Sequence, residues 1–170
     1  MNRLHIVGRK NHGKTTLVVD LVTYLKEQGY CVGTIKHTHH QHRLDTPGKD
    51  SYRHREAGAD VVGIVSPGTH AAFWTPVTDS PESSYEALGP LFADCDMVLV
   101  EGDSHASAPR MEVWRSEVGS PPMAAEDEQI EAIVADDELQ LPIPQLNRSD
   151  IGQVAAWILK RLDVASRRSS

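Results

Sequence analysis

The chain has 170 residues, enough for one compact domain with its own core. Apolar residues make up 39% and charged residues 24%, the proportions of a folded globular protein rather than a disordered or fibrous one. A net charge of −7 argues against a general nucleic-acid binder, which needs a basic face, and the nine histidines soften this only slightly.

No apolar run approaches the ~18 residues of a membrane span. The first such run, Leu4–Val7, is too short for the core of a secretory signal. The two cysteines, Cys31 and Cys95, lie in or beside apolar runs and read as buried thiols rather than a disulfide. A soluble cytoplasmic protein is expected, bound to neither membrane nor nucleic acid.

Leu4–Val7 reads as a buried strand ending at Gly8. A helix is predicted from Thr15 to Gln28, because Leu17, Val18, Leu21, Val22 and Leu25 recur on one helical face. Gly29 suits its C-terminus. Tyr30–Ile35 is the next strand, so the chain opens as a βαβ unit with parallel strands. Residues 37–50 are polar and histidine-rich, a loop of functional length broken by Pro47 and Gly48. Asp50 or Ser51 is the expected cap of a short helix through Ala57, stopped by Gly58. Val61–Val65 and Ala71–Trp74 flank Ser66-Pro67-Gly68-Thr69, where Pro-Gly suits a type II turn between antiparallel strands. Pro81–Leu91 is a further helix, and Met97–Val100 a continuous apolar strand. Met111–Trp114 and Ile130–Ala135 are strands on either side of the Pro-rich, then acidic, loop Gly119–Glu128. Ile151–Leu162 is a helix capped by Ser149 or Asp150, and Arg167–Ser170 a frayed tail. The alternation makes the fold class α/β, and the hairpin suggests a mixed sheet.

The strongest motif is Gly8-Arg9-Lys10-Asn11-His12-Gly13-Lys14-Thr15, which fits G-x-x-x-x-G-K-S/T between a strand and an amphipathic helix. Glycines let backbone N–H groups converge, and the helix N-terminus adds partial positive charge. Lys14 is placed to reach the β- and γ-phosphates, and the Thr15 hydroxyl to bind Mg²⁺. With Thr16 these residues form the predicted phosphate site. Glu101 ends an apolar strand, at the strand C-terminal edge where open α/β sheets bind ligands. It is the candidate catalytic acid, holding Mg²⁺ through a water or orienting an attacking water.

His37, His39, His40 and His42 suggest a transition-metal site, but no cysteine joins them and their spacing matches no common zinc pattern. A polar loop facing an anion is the favoured reading. Asp45, Lys49 and Asp50 are candidates for magnesium-shell or phosphate contacts, with N-capping the alternative for Asp50. For the base, Asn147-Arg148-Ser149-Asp150 is similar to the guanine motif N-K-x-D but opens the last helix, so capping explains it equally well. Asp136, just past a strand, is the rival, since a carboxylate there accepts both N1–H and N2–H of guanine.

With these stretches together the chain resembles the molybdopterin-guanine dinucleotide biosynthesis protein B (MobB) family, from about Arg3 to about Arg161. Thr34–His40 followed by Asp45–Ala59 is far more specific than the phosphate loop. Leu99–Gly102, Met111–Arg115 and Ile133–Asp137 follow in the family's order. The resemblance implies a P-loop NTPase-type three-layer sandwich with a mostly parallel, mixed sheet and an inserted β-hairpin. With no internal repeat or linker visible, one nucleotide-binding domain is expected over residues 1–165, with a flexible tail over 166–170. The resemblance also implies GTP and Mg²⁺ as cofactors, weak GTPase activity, and a homodimer. The implied partner is the guanylyltransferase that joins GMP to molybdopterin, and molybdopterin itself is a further candidate ligand.

Lys14, Glu101 and Asp45 are then the catalytic candidates. Lys36, His37 and Lys49 join the nucleotide contacts, and Ala135 and Asp136 lie near the base. The chain departs from many relatives at Asp103-Ser104, where Phe-Lys is common, and at Arg9-Lys10, where Tyr-Ser is frequent. A nucleotide-gated adapter and a metallochaperone GTPase are the alternative functions.

Overall fold

Strand β1 (Arg3–Val7) sends Leu4 and Ile6 to one face of a sheet and His5 to the other. On the first face lies helix α1 (Lys14–Glu27), whose Leu17, Val18, Leu21 and Leu25 pack against Leu4, Ile6, Met97 and Leu99. The helix ends where expected, with Gly29 at a left-handed φ of 83°. The Tyr30 N–H still bonds the Leu25 carbonyl, which is why strand β2 (Val32–Lys36) begins later than the apolar pattern suggests. The remaining strands are β5 (Met97–Glu101), β6 (Arg110–Val113), β7 (Ile130–Val134) and β8 (Gln145–Leu146). They stand in the order β2-β5-β1-β6-β7-β8, and every pairing is parallel. β5 therefore separates the two strands of the opening βαβ unit.

The computed structural model describes residues 1–38, 45–76 and 80–166. These fall into two compact units. The first contains Met1–Thr38 and the chain from Tyr85 onward, with the whole six-stranded sheet. Helix α4 (Ile151–Arg161) joins α1 on its first face through Val154, Ala155 and Ile158. The opposite face has two apolar patches. One gathers Tyr85, Val98 and Val100 with Phe92 and Ile35. The other gathers Trp114, Ile133 and Ala135 under Leu139, Leu141 and Ile143. The polar side chains of His5, Arg110 and Glu112 on β1 and β6 are also buried.

Each has partners. Arg110 donates to Asp127 Oδ2 at 2.9 Å and also meets the Ser104 carbonyl and Gln129. Glu112 accepts the backbone N–H groups of Met123 and Ala124, both at 2.8 Å.

The second unit runs from His39 to Ser84. Its hairpin pairs β3 (Val61–Ser66) with β4 (Thr69–Trp74) across Pro67-Gly68, and Gly68 at φ 80° suits a type II turn. The expected antiparallel pair thus forms, but as a two-stranded sheet of its own and not as part of the six-stranded one. Helix α2 (Asp50–Glu56) starts after Lys49, which holds the N-cap position without a side-chain cap. Neither Asp50 nor Ser51 caps it, because both already lie inside the helix and the Ser51 hydroxyl is bonded to Asp45. Helix α3 (Pro81–Leu88) is followed by a 3₁₀ turn over Gly89–Phe92, which accounts for the longer helix expected there.

Cys31 and Cys95 are half-buried rather than buried, and are free thiols with Sγ atoms 3.7 Å apart. The predicted tail, Arg167–Ser170, lies outside the described residues. Among those described, no helix is long and apolar enough to cross a membrane.

Candidate functional site

All six strands of the main sheet run the same way, so their C-terminal ends share one edge. There the chain leaves β1 through Gly8, whose φ is 139°. A Cβ on Gly8 would lie 2.5 Å from the Val113 carbonyl oxygen, so only glycine lets the loop pass this close to β6. Asn11 at φ 69° and Gly13 at φ 91° turn the loop back into α1. Gly13 holds the N-cap position with no side-chain cap, and the first turn of α1 carries no acid. The positive end of the helix thus faces the ligand edge with no acid of its own, and Glu101 at the end of β5 is the carboxylate beside it.

Lys14 Nζ donates to the carbonyls of Gly8 and Arg9, both at 2.8 Å, and bridges the loop. Burial lowers its pKa; Lys36 adds to this and Glu101 opposes it. The Thr15 hydroxyl donates to Glu101 Oε1 at 2.7 Å, and Lys36 Nζ stands 3.7 Å from the same oxygen. Four of the sequence candidates, Lys14, Thr15, Glu101 and Lys36, thus stand together here. A cavity of about 430 Å³ opens here, lined by Lys10, Asn11, Gly13, Lys14, Thr15, Thr16, Glu101 and Arg115. Arg115 was not among the sequence candidates, though its place just past β6, at the ligand edge, was a usable signal.

Two expected contacts are placed differently. His12 is 1% exposed, with its ring turned into the protein. The Arg115 backbone N–H donates to Nδ1 at 3.0 Å, so Nε2 carries the proton and meets Ser120 Oγ at 2.9 Å. The side chain of His12 is a fastener between the phosphate loop and the segment after β6, and only its backbone remains for a ligand. Burial, reinforced by Lys14, Arg9 and Arg115, lowers its pKa and keeps it neutral. His37 is likewise turned inward: Nδ1 lies 3.1 Å from the Tyr85 hydroxyl, which donates to Asp103 Oδ2 at 2.8 Å. Asp103 thus has a buried partner in Tyr85.

Asp45, Lys49 and Asp50 belong to the second unit. Asp45 Oδ1 accepts the Ser51 hydroxyl at 2.9 Å, while its buried Oδ2 has no hydrogen-bond partner among the described residues. His39, His40 and His42 lie outside the described residues. Among those described, no three His, Cys, Asp or Glu side chains are grouped to hold a metal. Ala135 is buried and Asp136 exposed just beyond β7, on the ligand edge. Asp150 caps α4, its Oδ1 accepting the Gln153 N–H at 2.9 Å.

A family model described as molybdopterin guanine dinucleotide synthesis protein B matches residues 3–136. The molybdopterin-guanine dinucleotide biosynthesis adapter protein of Escherichia coli (strain K12) is 33% identical over 151 residues, covering 87% of this chain and 86% of that one. Its namesake from Haemophilus influenzae (strain ATCC 51907 / DSM 11121 / KW20 / Rd) is 32% identical over 158 residues, 91% of this chain and 86% of that one. The crystal structure of a molybdopterin-guanine biosynthesis protein B superposes with a TM-score of 0.69 at 27% identity, over 95% of this chain and 99% of the other. With the phosphate-loop cleft on a matching fold, the family model spanning most of its length and two relatives aligned nearly end to end, the chain belongs to the MobB family.

Proposed function

We propose that the protein is a GTP-binding adapter of molybdopterin-guanine dinucleotide synthesis, working in the cytoplasm with the guanylyltransferase that attaches GMP to molybdopterin. The observation that carries this reading is the cleft in which Lys14, Thr15 and Glu101 converge over a loop that only Gly8 permits. In it, backbone N–H groups at the start of α1 face the phosphates, and Lys14 transfers from the loop carbonyls to the β- and γ-phosphates. The Thr15 and Glu101 oxygens suit Mg²⁺, a cation that takes oxygen ligands. When bound, it supplies neutralising charge to the phosphates. Glu101 orients the attacking water, and hydrolysis is slow.

Asp136 reads the base. Asp150 is already occupied at the α4 cap, whereas Asp136 is exposed on the ligand edge. Asp136→Asn should narrow the preference for GTP over ATP, and Asp150→Asn should leave it unchanged. The reverse pattern in nucleotide titrations assigns the base to Asp150.

The nucleotide reading is tested by thermal shift with GTP or ATP and Mg²⁺. At about 100 times Kd, the wild type should gain roughly 2.7 kcal/mol and Lys14→Ala almost nothing. Equal shifts in the two proteins refute the site. Phosphate release with and without the guanylyltransferase then separates a turning-over GTPase from an adapter that nucleotide binding alone switches. The protein acts as a homodimer, and the exposed apolar hairpin β3–β4 supports this.

A further inference from the structure

Arg115 is a cation of the cleft that neither the phosphate-loop motif nor the sequence candidates account for. The Arg115 backbone is fixed beside the loop by its N–H bond to His12 Nδ1, at 3.0 Å. Its aliphatic stem lies over the loop: a Cβ built on Gly13 would find Arg115 Cδ at 3.8 Å. The side chain lines the same cavity as Lys10, Lys14 and Thr15. Its Nη2 meets Glu117 Oε2 at 2.5 Å, and the two side chains are 50% and 71% exposed. Glu117 sits in the 3₁₀ turn Ser116–Val118, which Gly119 closes at φ 75°.

We propose that Arg115 is a phosphate-binding residue of the nucleotide cleft and that Glu117 is the counterion it leaves when the phosphates arrive. The proposal rests on the nucleotide reading above and adds to it a residue and a charge exchange. Burial lowers the pKa of His12, and Lys14, Arg9 and Arg115 all lie close enough to it to lower it further. Such a group of cations needs compensation, and Glu117 gives some to Arg115. An exposed ion pair is weak and easily parted. A polyphosphate offers several negative oxygens to which a guanidinium bonds in paired, charge-assisted fashion. Because the backbone of Arg115, and not its side chain, holds His12, the guanidinium can exchange partners without disturbing that joint.

The two members of the pair should then act in opposite directions. Binding of GTP with Mg²⁺ and of inorganic tripolyphosphate, which has neither base nor sugar, is measured by calorimetry. Arg115→Gln should weaken both by at least about tenfold. Glu117→Gln, which frees the guanidinium in advance, should tighten both by about twofold to fivefold. Arg115→Lys should fall between wild type and Arg115→Gln. Thermal midpoints without ligand confirm that each variant is folded. Wild type binding both probes with Arg115→Gln binding them equally overturns this proposal alone, as does weaker binding by Glu117→Gln. A wild type that binds neither probe overturns the nucleotide reading and this proposal with it.

Discussion

His5 and His12 are nearly fully buried, and each is held neutral by the direction of its bonds. The Arg3 guanidinium donates to His5 Nε2 at 3.2 Å, which leaves His5 Nδ1 as the donor to the Gly102 carbonyl at 3.3 Å. Burial lowers both imidazoles from the usual 6.5. Below that value the unfolded chain takes up protons that the folded one refuses. Their contribution to stability is therefore complete above about pH 6.5 and lost as pH falls through the lowered values. Thermal midpoints should drop between pH 7 and pH 5.5. His12→Gln keeps one donor and one acceptor, so it should flatten that dependence; an unchanged slope removes His12 from the account. Gly8→Ala should cost at least about 2 kcal/mol in urea unfolding, since the methyl meets the Val113 carbonyl at a disfavoured φ. The residues from Gly8 to Thr15 were legible because their pattern is local. The inward turn of His12 was not, because its partners Arg115 and Ser120 lie 103 and 108 residues away. The same holds for Asp103, whose setting depends on Tyr85 and His37.

At the scale of elements, Glu112 ties β6 to the loop before β7 through the Met123 and Ala124 N–H groups. Glutamine in its place has one acceptor where two are used. Glu112→Gln should speed hydrogen exchange at Met123 or Ala124 while the strand amides stay protected; unchanged exchange at both would show the tie to be dispensable. At α4, Asp150→Ala should cost about 1 kcal/mol and Asp150→Asn only a few tenths, as denaturant midpoints will show. Long periodic helices and continuous apolar strands were readable from the sequence, since hydrophobic spacing alone defines them. Strand β8 was not, because two residues leave no period to detect. Nor was the cover over Ile133 and Ala135, which irregular chain at Leu139, Leu141 and Ile143 supplies where a regular helix pattern is absent. The N-cap of α2 is Lys49, one position before the expected Asp50, a difference below what residue preference resolves.

At the scale of the whole molecule, hairpin β3–β4 leaves Val61, Val65 and Trp74 exposed at 63%, 81% and 37%. A two-stranded ribbon is marginal without a cover, and an open apolar edge invites pairing. If the proposed homodimer forms through this hairpin, Val65→Lys should shift the mass seen by light scattering from dimer toward monomer and leave the thermal shift by GTP as in the wild type; a wild type of dimer mass with an unchanged variant removes the hairpin from the interface.

The order of strands also has a consequence for synthesis. Among the described residues β1 pairs only with β5 and β6, so Arg3 waits for Val98 and His5 for Arg110, and β2 has no sheet neighbour but β5. On the ribosome, at about 5–20 residues per second, the opening strands remain unpaired for several seconds while the His39–Ser84 unit emerges. A nascent chain ending at Asp96 contains the entire phosphate-loop motif but no sheet to support it. Protease resistance and nucleotide protection should therefore appear together, and only once β5 and β6 have left the tunnel.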